Sequence, residues 1–340
     1  MDALKPTLAI LQTGRPLTSS EASKAFEVIL SGEASPAQIG SFVTALRVRG
    51  ETIDEIAAGV SVMRANAMKV KTPTHVLDTC GTGGDGSGSY NISTAVAIVA
   101  AACGAYVAKH GTLAQSSKSG SSDVLQALGV ELNLSANALE HCINDVGIGF
   151  LFAPNHHAAM RHVAPIRKEL GFRTIFNLLG PLSNPAGANR QLLGVFDKQW
   201  VEPLAQVLKK LGSERAWVVH GSDGMDELTT TGVSTVASLR KGEINVFEVT
   251  PEDAGLPRAK PEDLVGGTPE ENAAAMTALL DGATGAYRDI VLLNTAAALV
   301  VCHKAETLKE GAEMAALAID DGGARTVLAN LVATSQKLAS

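Results

Sequence analysis

The stretch Asp78-Thr79-Cys80-Gly81-Thr82-Gly83-Gly84-Asp85-Gly86-Ser87-Gly88-Ser89-Tyr90-Asn91-Ile92-Ser93-Thr94 decides how this chain is read. The run His75 to Leu77 before it is strand-like, and the small apolar run Ala95 to Cys103 after it reads as a helix. Between them stand five glycines in eight residues, with hydroxyls at Thr82, Ser87, Ser89, Ser93 and Thr94. That is the order strand, glycine loop, helix N-terminus. Glycine permits positive φ and close backbone approach. Successive loop N–H groups and the helix dipole then favour an anion such as phosphate or pyrophosphate. A tight β-to-α connection would use glycines too. The loop lacks the Gly-Lys-Ser/Thr ending of a P-loop, and it carries an acid, Asp85. An acid inside a phosphate cradle makes electrostatic sense when a divalent cation bridges the two. The loop therefore points to a polyphosphate arriving with magnesium.

Three further clusters carry chemistry. Asp226-Glu227, in the turn Gly224-Met225-Asp226-Glu227-Leu228 after an apolar run, offers two adjacent carboxylates suited to a hard cation; a solvated acidic turn would look the same. Lys109 ends a strand candidate and opens the serine-rich segment Gly111 to Gly120. A lysine there pairs with phosphate as a point charge, or is a surface lysine. His157, Arg161, His162 and Arg167 lie on a helix-like run, His156 to Leu170, where His157, Arg161 and Pro165 would share a face. A basic face of that kind grips a carboxylate, or is merely solvated. Cys80, within the loop, reads better as a buried side chain than as a nucleophile, since no base accompanies it.

The remainder of the chain divides in two. Thr18 with Glu21 and Thr52 with Glu55 form capping boxes, Ser35-Pro36 opens another helix, and apolar residues recur at helical spacing through Phe26, Ile29, Leu30, Ile39, Phe42, Val43, Leu46, Ile56, Val60 and Met63. Residues 1–71 thus read as a small all-helical domain. Near Lys71-Thr72-Pro73-Thr74 the pattern changes. Strand candidates Val76–Asp78, Ala105–Ala108, Ile148–Phe152, Leu192–Phe196 and Ala216–His220 then alternate with helices such as Ser122–Leu128, Ala136–Asp145 and Trp200–Leu211. The fold class is α/β, with a mostly parallel central sheet flanked by helices. Residues 72–164 and 190–340 form the large domain, and 165–189 an insertion that returns to the helical one. Ligands of such sheets sit at the carboxyl ends of strands, where the glycine loop, Lys109 and Asp226 would meet.

Composition excludes several classes. The net charge of −7 argues against nucleic acid or an anionic membrane as the main partner. No apolar run is long enough to span a bilayer, and the first residues lack the profile of a signal peptide. The cysteines, Cys80, Cys103, Cys142 and Cys302, stand singly, as reduced cytoplasmic thiols do.

The glycine loop, with Lys109-His110-Gly111, Ser116-Ser117-Lys118-Ser119-Gly120, His157-Ala158-Ala159-Met160, Arg173 to Leu182, Asn184-Pro185-Ala186 and Gly224 to Leu228, resembles the motifs of the anthranilate phosphoribosyltransferases, within the nucleoside-phosphorylase-like family. The resemblance spans nearly the whole chain. It implies transfer of phosphoribosyl from phosphoribosyl pyrophosphate (PRPP) to the amine of anthranilate, in tryptophan biosynthesis, without a nucleophilic side chain. By this resemblance PRPP is held by Gly81, Gly84, Asp85, Ser89, Asn91, Ile92, Ser93, Thr94, Lys109, Gly111, Ser116, Ser117 and Ser121. The acceptor meets Gly81, His157 and Arg167. Two Mg²⁺ ions are held by Ser93, Asp226 and Glu227, and the helical domain pairs two protomers. The chain departs from the family pattern at Thr112-Leu113, where Asn-Arg is usual, at Gln115, and more mildly at Ser89 and Tyr90. Thr112 lacks the reach and second donor of the amide. A different aromatic acceptor, a nucleoside phosphorylase and a non-enzymatic nucleic-acid-binding paralogue stand as alternatives; the paired acids favour PRPP, and the acidic balance disfavours nucleic acid.

Overall fold

The structure, a computed structural model, describes residues 3–113 and 119–339. Ser116, Ser117, Gln115 and Lys118 lie outside the described residues.

The N-terminal layer consists of α1 (Lys5–Gln12), α2 (Ser19–Leu30), α3 (Pro36–Arg49) and α4 (Ile53–Asn66). The capping boxes form as the sequence predicts. The Thr18 hydroxyl accepts from the Glu21 amide (3.3 Å), and Ser35 and Thr52 do the same for Gln38 and Glu55. Glu55 does more than cap. Fully buried, it also accepts from the Leu17 amide (2.8 Å) and pairs with Arg49, tying the entry to α2 and the end of α3 to one carboxylate. Apolar faces converge on Phe26, whose ring stands edge-on to Phe42 (5.5 Å) and Phe176 (5.9 Å). Phe176 belongs to the helix Ile175–Leu182 of the insertion. Gly59 makes this possible, since a Cβ there would collide with Phe26 and Leu179.

The large layer is a seven-stranded sheet of order β3-β2-β1-β4-β5-β6-β7. Its strands are β1 (Leu77–Gly81), β2 (Val107–Gly111), β3 (Ile148–Phe152), β4 (Arg190–Gly194), β5 (Arg215–Gly221), β6 (Ser234–Arg240) and β7 (Glu243–Val249). Pairing is parallel from β3 across to β5 and antiparallel for β5–β6 and β6–β7. The five expected strands are present, and the antiparallel pair is additional. Helix α5 (Ile92–Ala102) leads from β1 towards β2, and α6 (Ser121–Ala127) follows β2. Because β2 and β3 lie on one side of β1 and β4 on the other, the order reverses between β1 and β4. A crevice opens there at the carboxyl ends of the strands.

Alternate strand residues feed two cores. Leu77, Leu192 and Val219 join α5 and the long C-terminal helices (Ala286–Val301, Leu308–Asp320, Gly323–Ala339). Cys80, Leu193, Val195 and Val218 face the other way, into a core shared with the helix Val201–Lys210, the insertion and the N-terminal helices. The helical layer therefore has no separate core; it packs on one face of the sheet.

One expectation fails. His156–Leu170 is not a single helix but a short turn Ala153–His156, a 3₁₀ segment Ala158–His162 and a helix Ala164–Leu170. Pro165, with no N–H and a ring that would strike the carbonyl four residues back, opens the last piece rather than lying inside a longer one. His157 is consequently buried while Arg161 is exposed, and no shared face exists. Likewise the helix from Ala136 ends at His141 and continues as a π turn, Cys142–Val146.

Truncating Phe26 to Ala removes a ring that joins bundle and insertion, and should lower unfolding free energy by about 3–5 kcal/mol in chemical denaturation. A loss below about 1 kcal/mol would contradict the shared core.

Candidate active site

The crevice is built from bare backbone. Gly81 and Gly194 end β1 and β4 and pair in register. The turn after β5 lies directly over them: a Cβ on Gly81 would overlap the Asp226 carboxylate, and one on Gly194 the Asp226 carbonyl. The Gly83 amide donates to Asp226 Oδ2 (2.7 Å), and the Asp226 amide to Asp85 Oδ2 (3.4 Å). Two segments far apart in sequence thus meet through the Asp226 and Asp85 carboxylates, over glycines that leave room for them. The loop curls through Gly83, Gly84, Gly86 and Gly88, all at positive φ.

At its far end the loop is held by a segment that carries no motif of its own. Ser89 forms an antiparallel bridge with Val265, the Gly266 amide donates to the Gly88 carbonyl (2.8 Å), and Tyr90 stacks on Tyr287 (4.3 Å). Of the expected phosphate contacts, Asp85 accepts from the Ser87 amide (3.1 Å), while Ile92 puts its side chain into the core and leaves only backbone to the crevice. Thr94 is buried with its hydroxyl unpartnered, and Asn91, at the N-cap of α5, makes no side-chain cap. Gly111 lies against Ser121, whose hydroxyl donates to the Thr112 carbonyl (3.5 Å).

Lys109 is not a surface lysine. It is buried under the loop, its Nζ donating to the Thr79 carbonyl (2.5 Å) and the Ser93 hydroxyl (3.1 Å). Burial pulls its pKa down, against the pull of Asp78. Asp78 is a structural hub: Asn184 Nδ2 donates to it (2.8 Å) and to the Ala108 carbonyl (2.8 Å), and the His110 amide donates to its other oxygen (3.1 Å). Cys80 lies in β1, buried, with its thiol pKa pushed up by burial, so it is no nucleophile.

The acids are unevenly balanced. Burial, then the Asp85 charge, raises Asp226 to about 6. Burial, then Asp226, pushes Glu227 well up, against Lys109 and a hydrogen bond from the Ser93 backbone. Carboxylates crowded in this way store a need for positive charge. Their donors are oxygens, the choice of a hard cation. Among the described residues no three histidine, cysteine or acidic side chains are drawn together into a cage. A small hard cation needs none, since it takes one or two carboxylates and fills its sphere with water and ligand phosphates.

On the expected acceptor side, the His157 ring lies 5.2 Å from that of His110, and burial lowers its pKa to about 4, so it is neutral near pH 7. Arg167 stands apart on the helix Ala164–Leu170, half-buried, and has neither ion pair nor side-chain hydrogen bond among the described residues. The structure therefore gathers Gly81, Asp85, Ser93, Lys109, Asp226 and Glu227 at one crevice, sets His157 beside His110, and leaves Arg167 as an unanswered cation.

Comparison with known proteins agrees with this fold. The glycosyl transferase family matches twice, its helical bundle domain over residues 5–67 and its a/b domain over residues 73–325. The chain is 62% identical over 335 residues, 98% of each chain, to the anthranilate phosphoribosyltransferase of Parvibaculum lavamentivorans. This chain belongs to the anthranilate phosphoribosyltransferase family. A crystal structure of the Thermus thermophilus member superposes with a TM-score of 0.93 at 44% identity, covering 99% of this chain and all of that one. The Saccharomyces cerevisiae member, solved in complex with PRPP and Mg, gives 0.91 at 30% identity over 98% of each. Within the family fold, Asn184, quoted above only as part of a motif, emerges as a support of the crevice, and so do Asn272 and Tyr287, which no local sequence signal announced.

Gly194→Ala should leave a folded protein but displace the Asp226 turn, lowering transferase turnover by about a hundredfold; unchanged turnover would mean the turn accommodates a methyl. Asp78 gives a second expectation. Burial raises its pKa from 3.8 to about 6, so the fold favours its protonated form. Its contribution is full below the lower value and lost as pH rises through the higher, worth about 3 kcal/mol. The unfolding free energy of the unmodified protein, less that of Asp78→Asn, should fall by about that amount from pH about 4 to about 7. A flat difference contradicts the assignment.

Proposed function

We infer that the protein transfers the phosphoribosyl group of PRPP to the amine of anthranilate, giving N-(5-phosphoribosyl)anthranilate and pyrophosphate, a step of tryptophan biosynthesis. One observation carries the reading: two partly desolvated carboxylates, Asp226 and Glu227, face a loop of backbone N–H groups built for anions. Acids in an anion cradle make sense when the anion arrives with a divalent cation. The yeast relative is described with PRPP and Mg, and the oxygen donors here suit the same ion.

The assignments follow from position. Gly81, Gly84, Asp85, Ser89, Asn91, Ile92, Ser93, Thr94, Lys109, Gly111 and Ser121 take PRPP, with Ser116 and Ser117 beyond the described residues. Asp226, Glu227 and the Ser93 hydroxyl hold Mg²⁺, two ions per site, which when bound spread the charge of the departing pyrophosphate. Lys109 adds a fixed cation beneath the loop, and the first turn of α5 adds its amides. Gly81, whose missing side chain leaves room for the Asp226 carboxylate, offers the acceptor backbone alone. Neutral His157 offers a hydrogen bond, and Arg167 grips the anthranilate carboxylate in two-point fashion. No protein nucleophile is required: alignment of amine and C1, exclusion of water and charge stabilisation do the chemistry. Thr112 supplies less to the acceptor than an asparagine would, so the grip falls mainly on Arg167.

The four cysteines are free thiols, in keeping with a reducing cytoplasm. Exposed Val48 on α3 fits a homodimer contact through the helical layer.

The test is loss of anthranilate fluorescence on mixing with PRPP, Mg²⁺ and protein. Asp226→Asn with Glu227→Gln should lower the rate by about a thousandfold or more. Arg167→Ala should raise the anthranilate KM by about 10- to 100-fold with kcat little changed. Full activity in the first variant, or an unmoved KM in the second, would remove the corresponding assignment.

A further inference from the structure

The N-terminus of α5 is left open by a residue contributed from the far end of the chain. Asn91 occupies the N-cap, where an asparagine ordinarily turns its side-chain oxygen onto the amides two and three residues on, here Ser93 and Thr94. It does not do so. Its backbone, at φ −78° and ψ 73°, is outside the extended region that capping residues favour, and its carbonyl accepts from the Tyr287 hydroxyl (3.4 Å). The oxygen that would cap is occupied: Asn91 Oδ1 accepts from Asn272 Nδ2 (3.0 Å) and from the Ser119 hydroxyl (3.4 Å). Asn272 is itself fixed. It is 2% exposed, sits in the first turn of the helix Pro269–Leu280, and accepts from the Gly267 amide (2.7 Å). A second sign of an incomplete site lies on the same turn of α5, where the Thr94 hydroxyl, 1% exposed, has no partner.

We propose that Asn272 is a positioning residue: it draws the Asn91 carboxamide off the end of α5 and so keeps the first-turn groups at Ser93 and Thr94 available for a phosphate group. A self-capped helix would satisfy those amides internally, and an incoming anion would have to displace the cap. With Asn272 in place the competitor is held aside before the ligand arrives, which is preorganisation of the anion site by a residue that never touches the anion. The two carboxamides together join three distant segments, since Asn91 also donates to the Ser119 carbonyl at the entry to α6 and Asn272 accepts from the Gly267 turn, so loss of the Asn272 donor frees Asn91 to cap. The inference rests on the reading of this loop as the PRPP site.

Calorimetric titration of PRPP with Mg²⁺ into the full-length protein tests both levels separately. No binding to the unmodified protein would remove the PRPP reading itself. Given binding, Asn272→Ala should weaken it by about tenfold, the scale of a lost or gained cap. At saturating PRPP its kcat should stay within about twofold, as should its KM for anthranilate. Unchanged PRPP affinity in a folded variant would overturn the proposal, as would kcat falling in step with affinity, which marks general disorder of the site. Asn272→Ser, polar but too short to hold Asn91, should match the alanine variant. In the unmodified protein, hydrogen exchange at the Thr94 amide should be fast without ligand and slowed by PRPP. Strong protection before ligand is added would show the helix already capped and would also overturn the proposal.

Discussion

The approach of one peptide unit to another, at the ends of β1 and β4, governs this molecule. The Asp226 turn rests on Gly81 and Gly194, two glycines in register, and any side chain at either would lift it away. The sheet order reverses at that same point, so the crevice that topology opens is also the place where backbone from three strands comes closest. The contact holds the Asp226 carboxylate on the Gly83 amide of the loop, with Glu227 next to it in the chain. Burial first, and then neighbouring negative charge, holds both carboxyls above their ordinary pKa. Lys109 answers only part of that charge, since its ammonium is already engaged by the Thr79 carbonyl and the Ser93 hydroxyl. The site is thus rigid in backbone and incomplete in charge, the condition in which an ion-bearing anion is recognised by what it supplies.

What could be read from the residues follows from how local each signal is. The strand, glycine loop and helix were legible because all their determinants lie within one contiguous run, and β3 has the bounds its apolar residues suggest. The capping boxes were legible for the same reason. β6 and β7 were not, because they pair with each other and with β5, and β7 is largely exposed, so no apolar run marks it. The helix placed over His156–Leu170 shows periodicity overriding a breaker: Pro165 starts a helix instead of continuing one. That error carried the face argument for His157 and Arg161 with it, although His157 itself is buried near the crevice through its contact with His110. Asn184, Asn272 and Tyr287 act across 106, 181 and 196 residues, and no window of sequence holds both ends of such hydrogen bonds.

The shared core limits how the protein can move. Closure over a bound sugar diphosphate is the ordinary way to keep water from a reactive C1. Here the bundle, the insertion and one sheet face bury their apolar residues together, through the helix Val201–Lys210, so a wide hinge opening would expose side chains such as Leu204, Val207 and Leu208 that are fully buried. The connections at the crevice side are polar and few. Met68 and His156 exchange hydrogen bonds (3.0 and 2.8 Å), Val70 donates to the Pro185 carbonyl (3.4 Å), and Arg64 donates to the Leu182 carbonyl (2.8 Å). Polar ties of this kind re-form after small displacements, whereas an interdigitated core does not. A closure that keeps the core intact is accordingly limited to a slight rotation about these linkers. Catalysis then depends less on a large swing than on loops and termini, such as the uncapped end of α5, already shaped before the substrate enters.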